Sequence, residues 1–136
     1  MFVDLVDHTG NQVSIDPSRV IKIRSALLQE EPRATVFVDY ATNGVFVRGK
    51  FADVCALFSA HIHPAMLHLP TGFPVALNAG GISAVQISPV ANGKPVYRGN
   101  SVAVVDQNHW NYRVPARNMI ALKETVAEAT AIIGGA

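Results

Sequence analysis

One cysteine, Cys55, excludes an intrachain disulfide framework and any zinc cluster built on cysteines. A lone thiol fits a reducing compartment, and a cytoplasmic location is expected. Charge is also scarce: Asp, Glu, Lys and Arg make up 15% of the chain, against a usual ~25%. Beside a 49% apolar fraction, so little charge excludes a disordered chain and suggests a surface partly covered by a partner or another copy. No apolar run reaches the length of roughly 18 residues that a membrane span needs. The opening MFVDLVDHTG carries charge at positions 4 and 7 in place of a signal layout. The net charge is +1, with six basic and seven acidic residues up to position 63 and five and three after it. Neither half is a charged tail, and a strongly cationic nucleic-acid binder is excluded.

What the chain has is self-similarity. Val3, Leu5, Val13, Ile15 and Pro17 are matched seventy-two positions later by Val75, Leu77, Val85, Ile87 and Pro89. The stretch 35–58 has a counterpart at 101–123. These matches predict an α+β fold: internally duplicated antiparallel β units, each followed by an α-helix, packed as a pseudo-dimer. The first unit is 1–63, the linker 64–72 and the second unit 73–136. Half the chain buries only a marginal core, so one core is expected to be shared.

Along the chain, Phe2–Asp7 and Gln12–Asp16 read as strands around a His8-Thr9-Gly10-Asn11 turn. Val20–Leu28 reads as a strand with Ile21 and Ile23 on one face and Lys22 and Arg24 on the other. Thr35–Tyr40 and Val45–Arg48 flank an Ala41-Thr42-Asn43-Gly44 turn. Phe51, Val54, Cys55, Phe58 and Ile62 follow helical spacing up to Pro64. In the second half a hairpin turn is expected at Ala79-Gly80-Gly81 and another hairpin across 101–114. A last helix from Pro115 would carry Met119, Leu122, Val126 and Ile133 on its apolar stripe.

The segment F-V-D-Y-A-T-N-G-V-F-V-R-G-K-F-A-D-V within 35–58 resembles the FlbD-type small flagellar-operon proteins, which are single modules of this pattern. The order of several antiparallel strands and then a helix, twice over, resembles the Whirly-type single-stranded-DNA-binding fold. That family carries a lysine-rich K-G-K-A-A-L motif, and Arg48-Gly49-Lys50 stands at a comparable place. The second resemblance implies binding to single-stranded nucleic acid.

The residues offer a matching set: Lys22, Arg24, Arg48, Lys50, Arg98 and Arg113 for phosphates, and Trp110 and Tyr112, with Tyr40 and Tyr97, for stacking on bases. Scattered cations on a solvated sheet face are the plainer account. His61, His63 and His68 form an H-x-H-x4-H cluster. Residues i and i+2 of a helix point far apart, and no acidic or thiol ligand lies between 59 and 72, so no metal and no cofactor are expected. Cys55 is expected to be packed and unreactive. Asp39 and Asp106 are expected to cap turns.

The expected function is a non-catalytic, nucleic-acid-associated protein that binds single-stranded DNA or RNA through a sheet face. The alternative is a phage or bacterial assembly or interaction protein with a protein partner, a possible homo-oligomer, and no nucleic-acid contact.

Overall fold

The alternation of Val3 and Leu5 with Asp4 and Val6 makes β1 (Val3–Val6), whose first and third residues are buried. It pairs antiparallel with β2 (Gln12–Ile15). These elements belong to a computed structural model that describes residues 2–26, 33–40, 43–106 and 119–135. Asp16 then caps a short 3-10 turn, Pro17–Arg19, by accepting from the Ser18 N–H at 3.0 Å. β3 (Val20–Ser25), β4 (Val36–Tyr40) and β5 (Asn43–Val47) follow, and then helix α1 (Phe51–Ser59). Next come β6 (Pro64–His68), β7 (Pro74–Asn78), a second 3-10 turn (Ala79–Gly81) and β8 (Ile82–Gln86). The small β9–β10 hairpin (Val90–Ala91, Lys94–Pro95) precedes β11 (Ser101–Val105), β12 (Met119–Leu122) and helix α2 (Val126–Gly135). No described helix is long and apolar enough to cross a membrane.

The described strands form four sheets. The largest has the order β5-β4-β3-β7-β6, a second has β12-β11-β8, and β1–β2 and β9–β10 stand as two-stranded sheets. The large sheet is the wall between two cores. Val20 and Ile23 of β3 and Ala76 of β7 lie in the first, with Leu5, Val36, Val38 and Phe58. Ile21 of β3 and Val75 and Leu77 of β7 lie in the second, with Leu67, Ala103, Ile120 and Leu122. The buried Asn78 amide fixes this junction by donating to the Val20 carbonyl at 3.0 Å. Each core would be marginal alone, and the common wall lets them stabilise each other.

This architecture corrects the expected fold class. The chain is mostly β-sheet, with twelve strands and two α-helices among the described residues, and no repeated strand–helix unit is evident. The α+β pseudo-dimer of two units each closed by a helix is therefore not what forms. The seventy-two-residue correspondence fails for a definite reason. It aligned Val75 and Leu77 with β1 and Val85 with β2, yet β7 pairs with β6 and β3, and β8 pairs with β11. Val-x-Leu and Val-x-Ile suit any half-buried strand, so such a pattern fits several registers.

Other local expectations change as well. Within the stretch 64–72, read as a linker, Pro64–His68 is strand β6. Ala79–Gly81 is a 3-10 turn between strands of different sheets and closes no hairpin. Met119–Leu122 is a strand, and the last helix starts only after Thr125. Its start is fixed by a capping box: Thr125 N–H donates to Glu128 Oε1 at 3.0 Å, and Glu128 N–H donates to Thr125 Oγ1 at 3.2 Å. Asn43 and Gly44 are strand residues opposite Tyr40 and Asp39. A Cβ at Gly44 would overlap the Phe37 ring, so glycine there lets that ring lie flat across the sheet. The segment 107–118 lies outside the described residues.

Candidate functional site

The β3 register determines where its charges go. A bulge between Val20 and Lys22 puts Ile21 into the second core while Ile23 stays in the first. Ile21 and Ile23 thus lie on opposite faces, against the simple alternation expected. Lys22 and Arg24 stand opposite Leu77 and Val75 of β7, both residues of the second core. The two cations therefore emerge at the margin of that core.

There they line an open cleft of about 450 Å³. Leu69, Pro70 and Phe73 of the β6–β7 corner form one apolar wall, and Met119 of β12 another. Arg98 comes in from the loop before β11. That loop is pinned to β12: Asn100 N–H donates to the Leu122 carbonyl at 2.9 Å and its side-chain amide to the Lys123 carbonyl at 2.7 Å. A Cβ at Gly99 would overlap the Leu122 carbonyl oxygen, and its φ of +94° also favours glycine. Arg98 is thereby held close to two cations more than seventy residues away in sequence.

Arg24 is oriented from below. Its guanidinium lies 4.7 Å from the centre of the Phe37 ring, and Nη1 donates to the Ser25 carbonyl at 3.2 Å. Phe37 packs on Phe46 at 4.8 Å, and the edge of His8 meets Phe46 at 6.2 Å. Lys22 Nζ lies 4.0 Å from the buried Asp39 carboxylate. Asp39 is thus a partner for β3. The cleft lining has three cations and, among the described residues, no carboxylate, imidazole or thiol. Three cations on one cleft attract anions.

The remaining expected site residues lie elsewhere. Arg48 donates from Nη2 to the His8 carbonyl at 3.0 Å and so braces the β1–β2 turn. Lys50 is exposed at the start of α1 and makes no side-chain cap. Arg113, Trp110 and Tyr112 fall outside the described residues. The histidines do not converge. His61 follows α1, while His63 and His68 bracket β6. At roughly 3.3 Å per strand residue, His63 and His68 are ~16 Å apart. Among the described residues no group of three His, Cys, Asp or Glu side chains is placed to hold a metal. His68 instead meets Glu124: its N–H donates to Oε1 at 2.9 Å, and Nδ1 lies 2.7 Å from Oε2. Burial tends to raise the Glu124 pKa, but these bonds outweigh it and hold the carboxyl below its ordinary 4.5. Cys55 is buried, and burial pushes its thiol up to about 11, so it is no nucleophile at neutral pH.

The apolar wall was missed in the sequence reading. Its signal was Phe73, directly after Thr71-Gly72 and 49% exposed. No family model, curated protein or solved structure matches the chain.

Proposed function

We propose that this is a non-catalytic protein that binds single-stranded nucleic acid in the cleft between β3, the β6–β7 corner and β12. One observation carries the reading: Lys22, Arg24 and Arg98 meet on a single cleft whose walls are apolar. Cations without a stacking surface would suit any polyanion, and an apolar wall without cations any small hydrophobe. Together they suit an unstacked base with its phosphate. The cleft volume is that of a site for one small ligand, so one or two nucleotides would be gripped at a time. A free, buried thiol at Cys55 is consistent with a cytoplasmic location.

The test is fluorescence anisotropy with short single-stranded oligonucleotides at low salt. Three phosphate contacts on a single strand predict a slope of about −2 for log K against log salt. Arg24→Ala and Arg98→Ala should each weaken binding and flatten that slope. No binding at low salt, or binding that ignores both substitutions, rules the reading out.

A second reading, a phage or bacterial interaction protein without nucleic-acid contact, is favoured by the β9–β10 hairpin. Ile87, Val90 and Val96 are exposed on and beside it, an unusual grouping of apolar side chains on one projection. Light scattering of nuclease-treated protein separates the two readings. A stable higher oligomer with no oligonucleotide affinity favours the second.

A further inference from the structure

We propose that copies of this chain join head to tail, the outer edge of β8 in one copy pairing antiparallel with the outer edge of β2 in the next. The inference is independent of what the cleft binds.

Among the described residues β8 pairs only with β11 and β2 only with β1, so each presents an open edge. Open edges are ordinarily guarded by charge, proline or a bulge. β8 reads Ile-Ser-Ala-Val-Gln and β2 Gln-Val-Ser-Ile, with no charge and no proline in either; β8 has a bulge at Ser83, but β3 has one at Ile21 and pairs with β7 beyond it all the same. β8 lies inside a far longer uncharged stretch, since no Asp, Glu, Lys or Arg occurs from residue 54 to 93. Directly after it comes Ile87, 73% exposed. An edge so bare calls for a partner strand.

The chain itself shows which strand fits. Inside the molecule β3 pairs with β7 with Lys22 opposite Leu77, Ile23 opposite Ala76 and Arg24 opposite Val75. The side chains there follow a rule. Ile23 faces the first core and meets the small Ala76. Val75 and Leu77 face the second core and meet the long, partly exposed Arg24 and Lys22. Each core-facing residue is thus met by one that can lie over the same core without clashing. β3 follows β2 through the 3-10 turn Pro17–Arg19, and β8 follows β7 through Ala79–Gly81.

Setting β8 against β2 in the corresponding antiparallel sense puts Ala84 opposite Ile15, Val85 opposite Ser14 and Gln86 opposite Val13. The same rule holds. Val85 packs on the second core and meets the exposed Ser14. Ile15 and Val13 belong to the first core and meet the exposed Ala84 and Gln86. No charge is buried and no large side chains collide. Because the two edges differ, the contact is heterologous and propagates into a ring or filament.

Cysteine cross-linking of nucleic-acid-free protein tests the register. Residues directly opposite on paired strands have Cβ atoms about 4.5–5.5 Å apart, near disulfide reach. The native Cys55 is buried and does not compete. Under mild oxidation, Ser14→Cys combined with Val85→Cys should give a ladder of dimer, trimer and larger species on a non-reducing gel. Either substitution alone should stay monomeric, and the two single variants mixed should stop at dimer. Dimer from Val85→Cys alone would mean two-fold β8–β8 pairing and overturns the proposal, as does the absence of any ladder. Sedimentation velocity reads the same edge without touching a core. The unmodified chain should form species beyond dimer as concentration rises, and Ala84→Lys, at an exposed position, should return them to monomer. A chain that is monomeric at every concentration, or an oligomer indifferent to Ala84→Lys, overturns it equally.

Discussion

The β1–β2 hairpin turns through Asp7–Asn11 and the β6–β7 hairpin through Leu69–Phe73, on the same pair of backbone bonds. Asp7 and Leu69 N–H donate to the Asn11 and Phe73 carbonyls at 2.8 and 2.9 Å, and Gly10 and Gly72 N–H donate to the Asp7 and Leu69 carbonyls at 3.0 and 2.8 Å. Both turns contain Thr-Gly, and both glycines sit at a φ of +94°. This is a tight turn whose last position needs a left-handed residue. Each hairpin is also tied at the end of its first strand. Arg48 N–H donates to the Val6 carbonyl and Lys123 N–H to the His68 carbonyl, both at 2.9 Å. The surroundings are where they differ. β7 continues into the five-stranded sheet through β3, while among the described residues β2 pairs only with β1. The first turn is stapled by the Asp7 carboxylate. The second has Leu69 at that position and is gripped at its base by Glu124. A turn of one geometry can thus close two hairpins, and what pairs with the outer strand decides how firmly each is held.

The largest expected consequence lies in the cores. Leu5 of β1 and Leu67 of β6 are both buried, but β6 is paired into the large sheet along its whole length, while β1 meets that sheet only beyond its end, at the Asp7–Val47 bridge. Cavities cost more where the surroundings cannot relax, so Leu67→Ala should lose about 4 kcal/mol and Leu5→Ala about 2 kcal/mol. Urea midpoints at constant slope measure both. Equal losses would show that the free hairpin is as rigid as the built-in one.

The sequence revealed the first hairpin and hid the second, although the turns are alike. His8-Thr9-Gly10-Asn11 lies between Val3/Leu5 and Val13/Ile15, and the alternation is plain. Thr71-Gly72 lies between Ala65/Leu67 and Val75/Leu77 in the same way, but Pro64 and Pro70 made the stretch read as a linker. Both prolines are compatible with strand ends and turns: Pro64 opens β6 and Pro70 begins the turn after it. The start of α2 was legible too, in Thr125-x-x-Glu128, but the apolar spacing of Met119 and Leu122 suits helix and strand alike. Of the candidate site, the Lys22/Arg24 pair could be read from β3. Its meeting with Arg98 and Phe73 could not, because it depends on the bulge at Ile21 and on β7 entering the large sheet.

A smaller effect sharpens the contrast at the base of the hairpins. Glu124→Gln removes a carboxylate that accepts from both the backbone and the ring of His68. Charge-assisted bonds of this kind are stronger than neutral ones, so the loss should be about 1–2 kcal/mol. The sign with pH follows from the depressed carboxyl. Its contribution is full above the ordinary value of 4.5 and disappears as pH falls through the lowered folded-state value. Urea unfolding of both chains at neutral and at acidic pH checks this. The gap between wild type and Glu124→Gln should close in acid, and a gap that persists would show that the pair contributes through shape and not charge.

The smallest effect is local and separates the turns themselves. Asp7 Oδ1 accepts from Thr9 Oγ1 at 2.6 Å, from Thr9 N–H at 2.9 Å and from Asn11 N–H at 3.0 Å. The Thr9 hydroxyl is the main reason that its pKa lies below the ordinary 3.8. A carboxyl depressed in the folded state supports its turn fully above that ordinary value and releases it as pH falls through the lower one. The Gly10 and Gly72 amides are matched reporters, since each donates the same backbone bond in its own turn. Read in the Glu124→Gln chain, which removes the titrating grip on the second hairpin, hydrogen-exchange protection factors, which divide out the intrinsic pH dependence, should fall at Gly10 as Asp7 is protonated and hold at Gly72, where Leu69 has nothing to titrate. Asp7→Asn should flatten the Gly10 profile. If Gly10 and Gly72 lose protection together, acid is loosening the shared wall and not the staple, and the two hairpins are less independent than their separate sheets imply.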